Sequence, residues 1–135
     1  MDITKALSIS ARGMEVQTAR LRTIAENLAN QDTTGSTPGA DPYRRKVITF
    51  ENRMDRALGV STVRVKEIAQ DKGELPLRFD PSHPAADAKG YVRTPNVNSF
   101  IEVMDMREAQ RGYSANLNVM EVTRSMLTRT IDLLK

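Results

Sequence analysis

From Asn96 to Lys135 the apolar residues recur at intervals of three and four. Val103, Met106, Tyr113, Leu117, Met120, Leu127, Ile131 and Leu134 therefore share one face of a predicted helix. A second apolar row, roughly 120–180° away at about 100° per residue, holds Ile101, Met104, Ala115, Val119, Val122, Met126 and Leu133. A second helix of the same chain can cover the first row. The second row calls for another molecule, so the pattern points to assembly before catalysis.

The opening segment predicts the covering helix. Leu7, Met14, Leu21 and Leu28 recur every seven residues, with Ile3 and Ile24 beside them, which is a coiled-coil-like seam. Asp2 is the predicted N-cap. Gly13, costly in a helix interior, suggests either close approach of another backbone or a tolerated defect. The helical pattern ends at Thr33–Pro42, a run rich in Gly, Pro and hydroxylated residues.

Alternation and β-branched residues predict strands over Tyr43–Glu51 and Val60–Ile68, with an edge strand over Leu75–Asp80 because of Pro76. Asn52–Gly59 reads as a short helix or irregular chain. Asp80–Asn98 reads as extended, and Ser99 with Glu102 fits a capping box for the last helix. The expected fold class is α+β: two long terminal helices packed as a coiled-coil-like stalk around a small, mostly β middle. Its expected divisions are an N-terminal helix over 1–32, a linker with β insert and extended return over 33–98, and a C-terminal helix over 99–135.

Expected intramolecular packing positions are Leu7, Met14, Leu21, Leu28, Tyr113, Met120, Leu127 and Ile131. Expected subunit-interface positions are Met104, Val119, Val122 and Met126.

Composition narrows the chemistry. The chain has 135 residues and no cysteine, which removes disulfides, thiolate nucleophiles and cysteine metal sites. Residues 1–32 carry four basic and four acidic side chains and residues 96–135 carry five of each, so the net charge of +3 arises in the middle. Mixed-sign terminal segments suit helices that meet other helices. Apolar runs of the roughly 18 residues needed for a membrane-spanning helix do not occur. The first residues lack the basic-then-apolar plan of a cleaved leader.

The sole histidine, His83, sits among Asp80, Ser82 and Asp87, a set that could ligate a metal or pair a nucleophile with a base. Flanking prolines splay those side chains, so the preferred reading is a turn in which Asp80 and Asp87 accept backbone N–H groups. Arg44, Arg45 and Lys46 alternate sides of a strand and make too small a basic face for nucleic acid. Neither catalytic residues, a metal nor a cofactor is expected. A helical adaptor binding one amphipathic partner is the alternative to a self-assembling subunit.

Longer stretches carry a resemblance. Asn27-Leu28-Ala29-Asn30 followed by Thr33-Thr34-Gly35, then Pro42-Tyr43-Arg44-Arg45-Lys46, is similar to a signature of the axial proteins of the bacterial flagellum. His83-Pro84, Gly90-Tyr91-Val92 and Pro95-Asn96-Val97-Asn98, leading into Glu102–Met106, resemble the proximal-rod (FlgC) branch. Arg107, Glu108 and Gly112 depart from that pattern, and Gly35–Asp41 is longer than in many members.

The resemblance implies a structural rod subunit, made in the cytoplasm and exported by the flagellar type III apparatus without a cleaved signal. It implies a place in the basal-body rod, which crosses the periplasm, transmits torque and surrounds the export channel. The implied partners are further copies and the rod components FlgB, FlgF, FlgG and FliE.

Overall fold

The computed structural model describes Asp2–Leu134; Met1 and Lys135, the outermost residues of the two expected terminal helices, lie outside the described residues. The element order is α1 (Ile3–Ala29), β1 (Lys46–Asp55), β2 (Val60–Gln70), β3 (Leu77–Phe79), β4 (Tyr91–Arg93) and α2 (Ser99–Leu133). The fold is α+β, with two long helices flanking two separate two-stranded sheets.

Local chemistry sets the boundaries. Asp2 caps α1, its Oδ1 accepting the Thr4 N–H at 3.0 Å. The expected capping box at α2 does not form. Asn98 supplies the cap instead, its Oδ1 accepting the N–H groups of Phe100 and Ile101, while Glu102 is fully buried and engaged elsewhere. The first strand begins at Lys46, not Tyr43, because the Tyr43 N–H is bonded to Thr33 O and the Arg45 N–H to Asn96 Oδ1.

That strand also takes in 52–55, the first half of the segment expected to be a short helix or irregular, and stops at Asp55; residues 56–59 are the irregular part, a turn. There the Asp55 carboxylate accepts the N–H groups of Ala57 and Leu58, and the Gly59 N–H closes on Asp55 O at 2.8 Å. The third strand is only Leu77–Phe79. It pairs antiparallel with Tyr91–Arg93, a strand absent from the sequence reading, in the register Leu77↔Arg93, Arg78↔Val92 and Phe79↔Tyr91.

The chain forms two compact units. The first comprises 1–21, 48–67 and 107–135. Within it α1 and α2 run antiparallel: Gly13 lies against Asn116, Gln17 against Gly112, and Arg20 pairs with Glu108 at 3.2 Å. This seam is made from small and polar residues. A Cβ at Gly13 would stand 2.7 Å from Asn116 Oδ1, and one at Gly112 would stand 2.9 Å from Gln17 Nε2. Each helix thus opens a notch for an amide of the other. The buried residues of this unit are Ser10, Val16, Thr62 and Ala109, a small core for so long a pair of helices.

The second unit comprises 22–47 and 68–106. Its buried apolar side chains include Ile24, Ala85 and Val92, and its buried polar ones Thr23, Asn27 and Glu102. Phe79 and Tyr91 pack edge-to-face across the β3–β4 ribbon with ring centroids 5.3 Å apart.

Candidate functional site

Two features stand out: a polar knot in the second unit, and the outward face of α2. The knot is built on Asn27, near the end of α1. Its Oδ1 accepts the Tyr43 hydroxyl at 2.9 Å and the Lys46 N–H at 2.8 Å. Its Nδ2 donates to Lys46 O at 2.9 Å and to Glu102 Oε2 at 3.2 Å. All four hydrogen-bonding positions of this buried amide are therefore used.

Glu102 Oε1 accepts the Arg45 Nε–H, and Asp105 lies 3.7 Å from the same guanidinium. Burial without partners would make the Glu102 carboxylate very costly; the Arg45 guanidinium and Asn27 amide supply them. Around the knot, Lys46 Nζ donates to Glu26 at 2.8 Å, a bond that raises the lysine pKa. Burial raises the Tyr43 hydroxyl pKa, partly offset by Lys46. The knot ties α1, the start of β1 and the start of α2.

The family-motif residues fall mostly in this unit. Asn96 fixes β1, accepting the Arg45 N–H at 2.8 Å, and Pro95 is buried beside it in sequence. Leu28 is half-buried, Ala29 is exposed, and Asn30 donates through Nδ2 to Glu26 O. His83 Nδ1 accepts the Ala85 N–H at 3.0 Å, so the neutral ring carries its proton on Nε2 and donates to Thr34 Oγ1 at 3.0 Å. Nδ1 is thus spent within its own turn and Nε2 on joining that turn to the loop after α1; Pro84 is exposed.

Asp87 acts as expected, its Oδ1 accepting the N–H groups of Lys89 and Tyr91. Those bonds, Tyr91 foremost, lower its pKa. Asp80 differs from expectation: its carboxylate accepts the Ser82 hydroxyl at 2.8 Å, and only its backbone carbonyl takes an N–H, that of His83. Gly90, at φ +82°, completes this turn with the ring of Phe79 against it, a place where a Cβ would be both strained and crowded. Among the described residues, clusters of acidic and imidazole groups suited to a metal do not occur.

The expected packing positions divide by location. Leu7, Met14, Leu21 and Leu28 of α1, with Met120 of α2, are half-buried. Tyr113, Leu127 and Ile131 are exposed in the single subunit. For the last two the antiparallel register gives the reason: continued from Gly13–Asn116, it sets Asp2 opposite Leu127. Residues beyond Leu127 extend past the start of α1, and every described residue from Arg124 onward is exposed.

Of the four expected interface residues, Val119 is 50% exposed, Val122 59% and Met126 59%. Met104, in the second unit, is likewise exposed. Phe100, Leu133 and Leu134 are more exposed still. So much apolar surface on one helix exceeds what scattered surface residues would leave.

Sequence reasoning missed the knot because Glu102 has an equally good local explanation as a capping residue. The available signal was the pairing of an acid in α2 with an amide and an arginine in segments already singled out.

Comparison with known proteins places these features in a family. Residues 88–133 match the family described as flagellar basal body rod FlgEFG protein, C-terminal. Over 98% of its length the chain is 51% identical to a flagellar basal-body rod protein FlgC of Agrobacterium fabrum, covering 96% of that protein. It is 40% identical to the protein of that name from Aquifex aeolicus, again over 98% of the chain and 97% of the relative. For that of Salmonella typhimurium the identity is 34%, with 98% of each covered. With near end-to-end matches at these identities, the chain belongs to the flagellar basal-body rod protein FlgC family.

Proposed function

We propose that this chain is a structural subunit of the flagellar basal-body rod, and that it assembles by burying the outward face of α2 against neighbouring subunits. The observation that carries the second part is the exposed row Val119, Val122 and Met126 on a helix whose inner side is already occupied by α1. Burying a Val, Leu or Met side chain contributes roughly 1.5–3 kcal/mol. Several per subunit outweigh the entropy of fixing the helices. Contacts of the head-to-tail kind, repeated without closing, generate a helical shaft.

In this reading the terminal helices form the shaft wall around an export channel, with the middle segments outward, and the knot at Asn27 and Glu102 fixes α2 for packing. The partners are further copies and other rod components, FlgB, FlgF, FlgG and FliE among them. The subunit leaves the cytoplasm through the type III apparatus with no leader removed, and the finished rod crosses the periplasm and carries torque. None of the described helices is long and apolar enough to cross a membrane.

Electron microscopy of hook–basal bodies, purified from cells in which the labelled chain replaces the resident copy, tests the assignment. The label belongs at the membrane-proximal rod. Label confined to the filament, or absent from purified basal bodies, would overturn it.

A further inference from the structure

The chain holds neither cysteine nor tryptophan, so its methionine thioethers are the side chains most open to oxidation. Those described divide by position. Met14, Met106 and Met120 are half-buried, whereas Met54 is 60% exposed, Met104 57% and Met126 59%. Met54 stands on β1, outside the helix rows. Met126 stands on α2 with Val119 and Val122, in the exposed apolar row that the rod reading turns toward neighbouring subunits.

Hydrogen peroxide takes such a thioether to its sulfoxide. A sulfur lone pair attacks one peroxide oxygen, and the S–O bond forms as the O–O bond breaks. The departing hydroxide then takes the proton from the new oxygen and leaves as water, so sulfur is oxidised and peroxide reduced. A flexible apolar side chain becomes a polar one with a strong acceptor oxygen. Buried without a donor, that oxygen opposes an apolar contact.

We propose that Met126 is an oxidation site that switches assembly. Its thioether is open to peroxide in the unassembled subunit and shielded once the α2 face is covered, and its sulfoxide keeps the subunit out of the rod. The proposal rests on the rod assignment and adds a chemical state in which the subunit does not assemble. Sulfoxide reductases reverse the change, so an oxidised subunit is held back, not lost.

Peptide mass spectrometry after a pulse of hydrogen peroxide tests it, comparing this chain in purified hook–basal bodies with the unassembled pool of the same cells. In the pool, Met126 and the equally exposed Met54 are expected to gain oxygen at similar rates, several times faster than Met14, Met106 and Met120. In the rods, Met126 sulfoxide is expected to be all but absent. Met126→Gln, which sets a polar side chain of similar length at the site, is expected to stay largely outside the rod, and Met126→Leu to enter it as the wild type does. Met126 sulfoxide as abundant in rods as in the pool would overturn the switch and leave the rod assignment standing. So would Met126→Gln entering rods at the level of Met126→Leu. Wild-type chain missing from purified rods would overturn both.

Discussion

Asn27 Nδ2 donates to Glu102 Oε2 at 3.2 Å, linking side chains 75 positions apart, both buried. The bond joins the C-terminal part of α1 to the N-terminal turn of α2. The same amide also holds the Lys46 backbone and the Tyr43 hydroxyl, so one residue organises three elements. Asn27→Ala leaves buried partners unsatisfied, each costing about 1–3 kcal/mol. The expected loss is about 3 kcal/mol, read as a lowered urea midpoint with an unchanged slope. Asn27→Asp is expected to be no better, because it sets a second carboxylate against Glu102.

Arg45 and Glu102 make a separate test. Glu102→Ala strips the nearer of two counter-charges from the Arg45 guanidinium; Asp105 stays 3.7 Å away and the guanidinium is about a quarter exposed, both of which temper the cost. The expected destabilisation is about 2–3 kcal/mol, at or below the lower end for fully buried pairs. A double-mutant cycle with Arg45→Ala measures the coupling; strict additivity would contradict the knot.

The β3–β4 turn has a defined acid sensitivity. Hydrogen bonds from the backbone N–H groups, Tyr91 foremost, lower the Asp87 pKa in the folded chain relative to an ordinary aspartate. Its contribution to stability is therefore complete above the unfolded value of about 3.9 and is lost as pH falls through the depressed folded value. Amide shifts of Lys89 and Tyr91 are expected to stay constant from pH 7 to 5 and move together below about 4. In Asp87→Asn that joint movement is expected to disappear.

The amide notches between the helices predict that the effect of one substitution depends on the other. Gly13→Ala gains helix propensity of about 1 kcal/mol but drives a Cβ into the Asn116 amide, which is itself bonded through Nδ2 to Gly112 O. Alone it is expected to be near neutral. Combined with Asn116→Ala it is expected to be more stable than Asn116→Ala by about 1 kcal/mol, by thermal or urea unfolding.

Much of this architecture was legible along the chain. Helix positions, the Asp2 cap, the Asp87 turn and the two longer strands follow from periodicity and from residues with one dominant local role. Failures occurred where a local role competed with a distant one. Glu102 fits a capping box, yet its carboxylate is claimed by Arg45 and Asn27, and Asn98 takes over the cap. The strand Tyr91–Arg93 is too short for alternation to register and exists through its pairing with Leu77–Phe79.

The helix seam was hidden for a related reason. Apolar spacing draws attention to Leu7, Met14, Leu21 and Leu28, whereas the closest approach runs through Gly13, Gln17, Gly112 and Asn116, which no hydrophobic pattern marks. Gly112, a departure from the resemblance, is the residue that makes room for Gln17.

Val122→Asp tests the assembly face of α2 most directly. At 59% exposure Val122 supports little within the subunit, so stability is expected to change by less than about 0.5 kcal/mol. The measurement is the amount of this chain in hook–basal bodies purified from cells expressing the variant, beside its amount in the soluble and exported fractions. The account predicts a folded, exported subunit that is missing from the rod, and non-motile cells. Wild-type incorporation and normal swimming with Val122→Asp would contradict it.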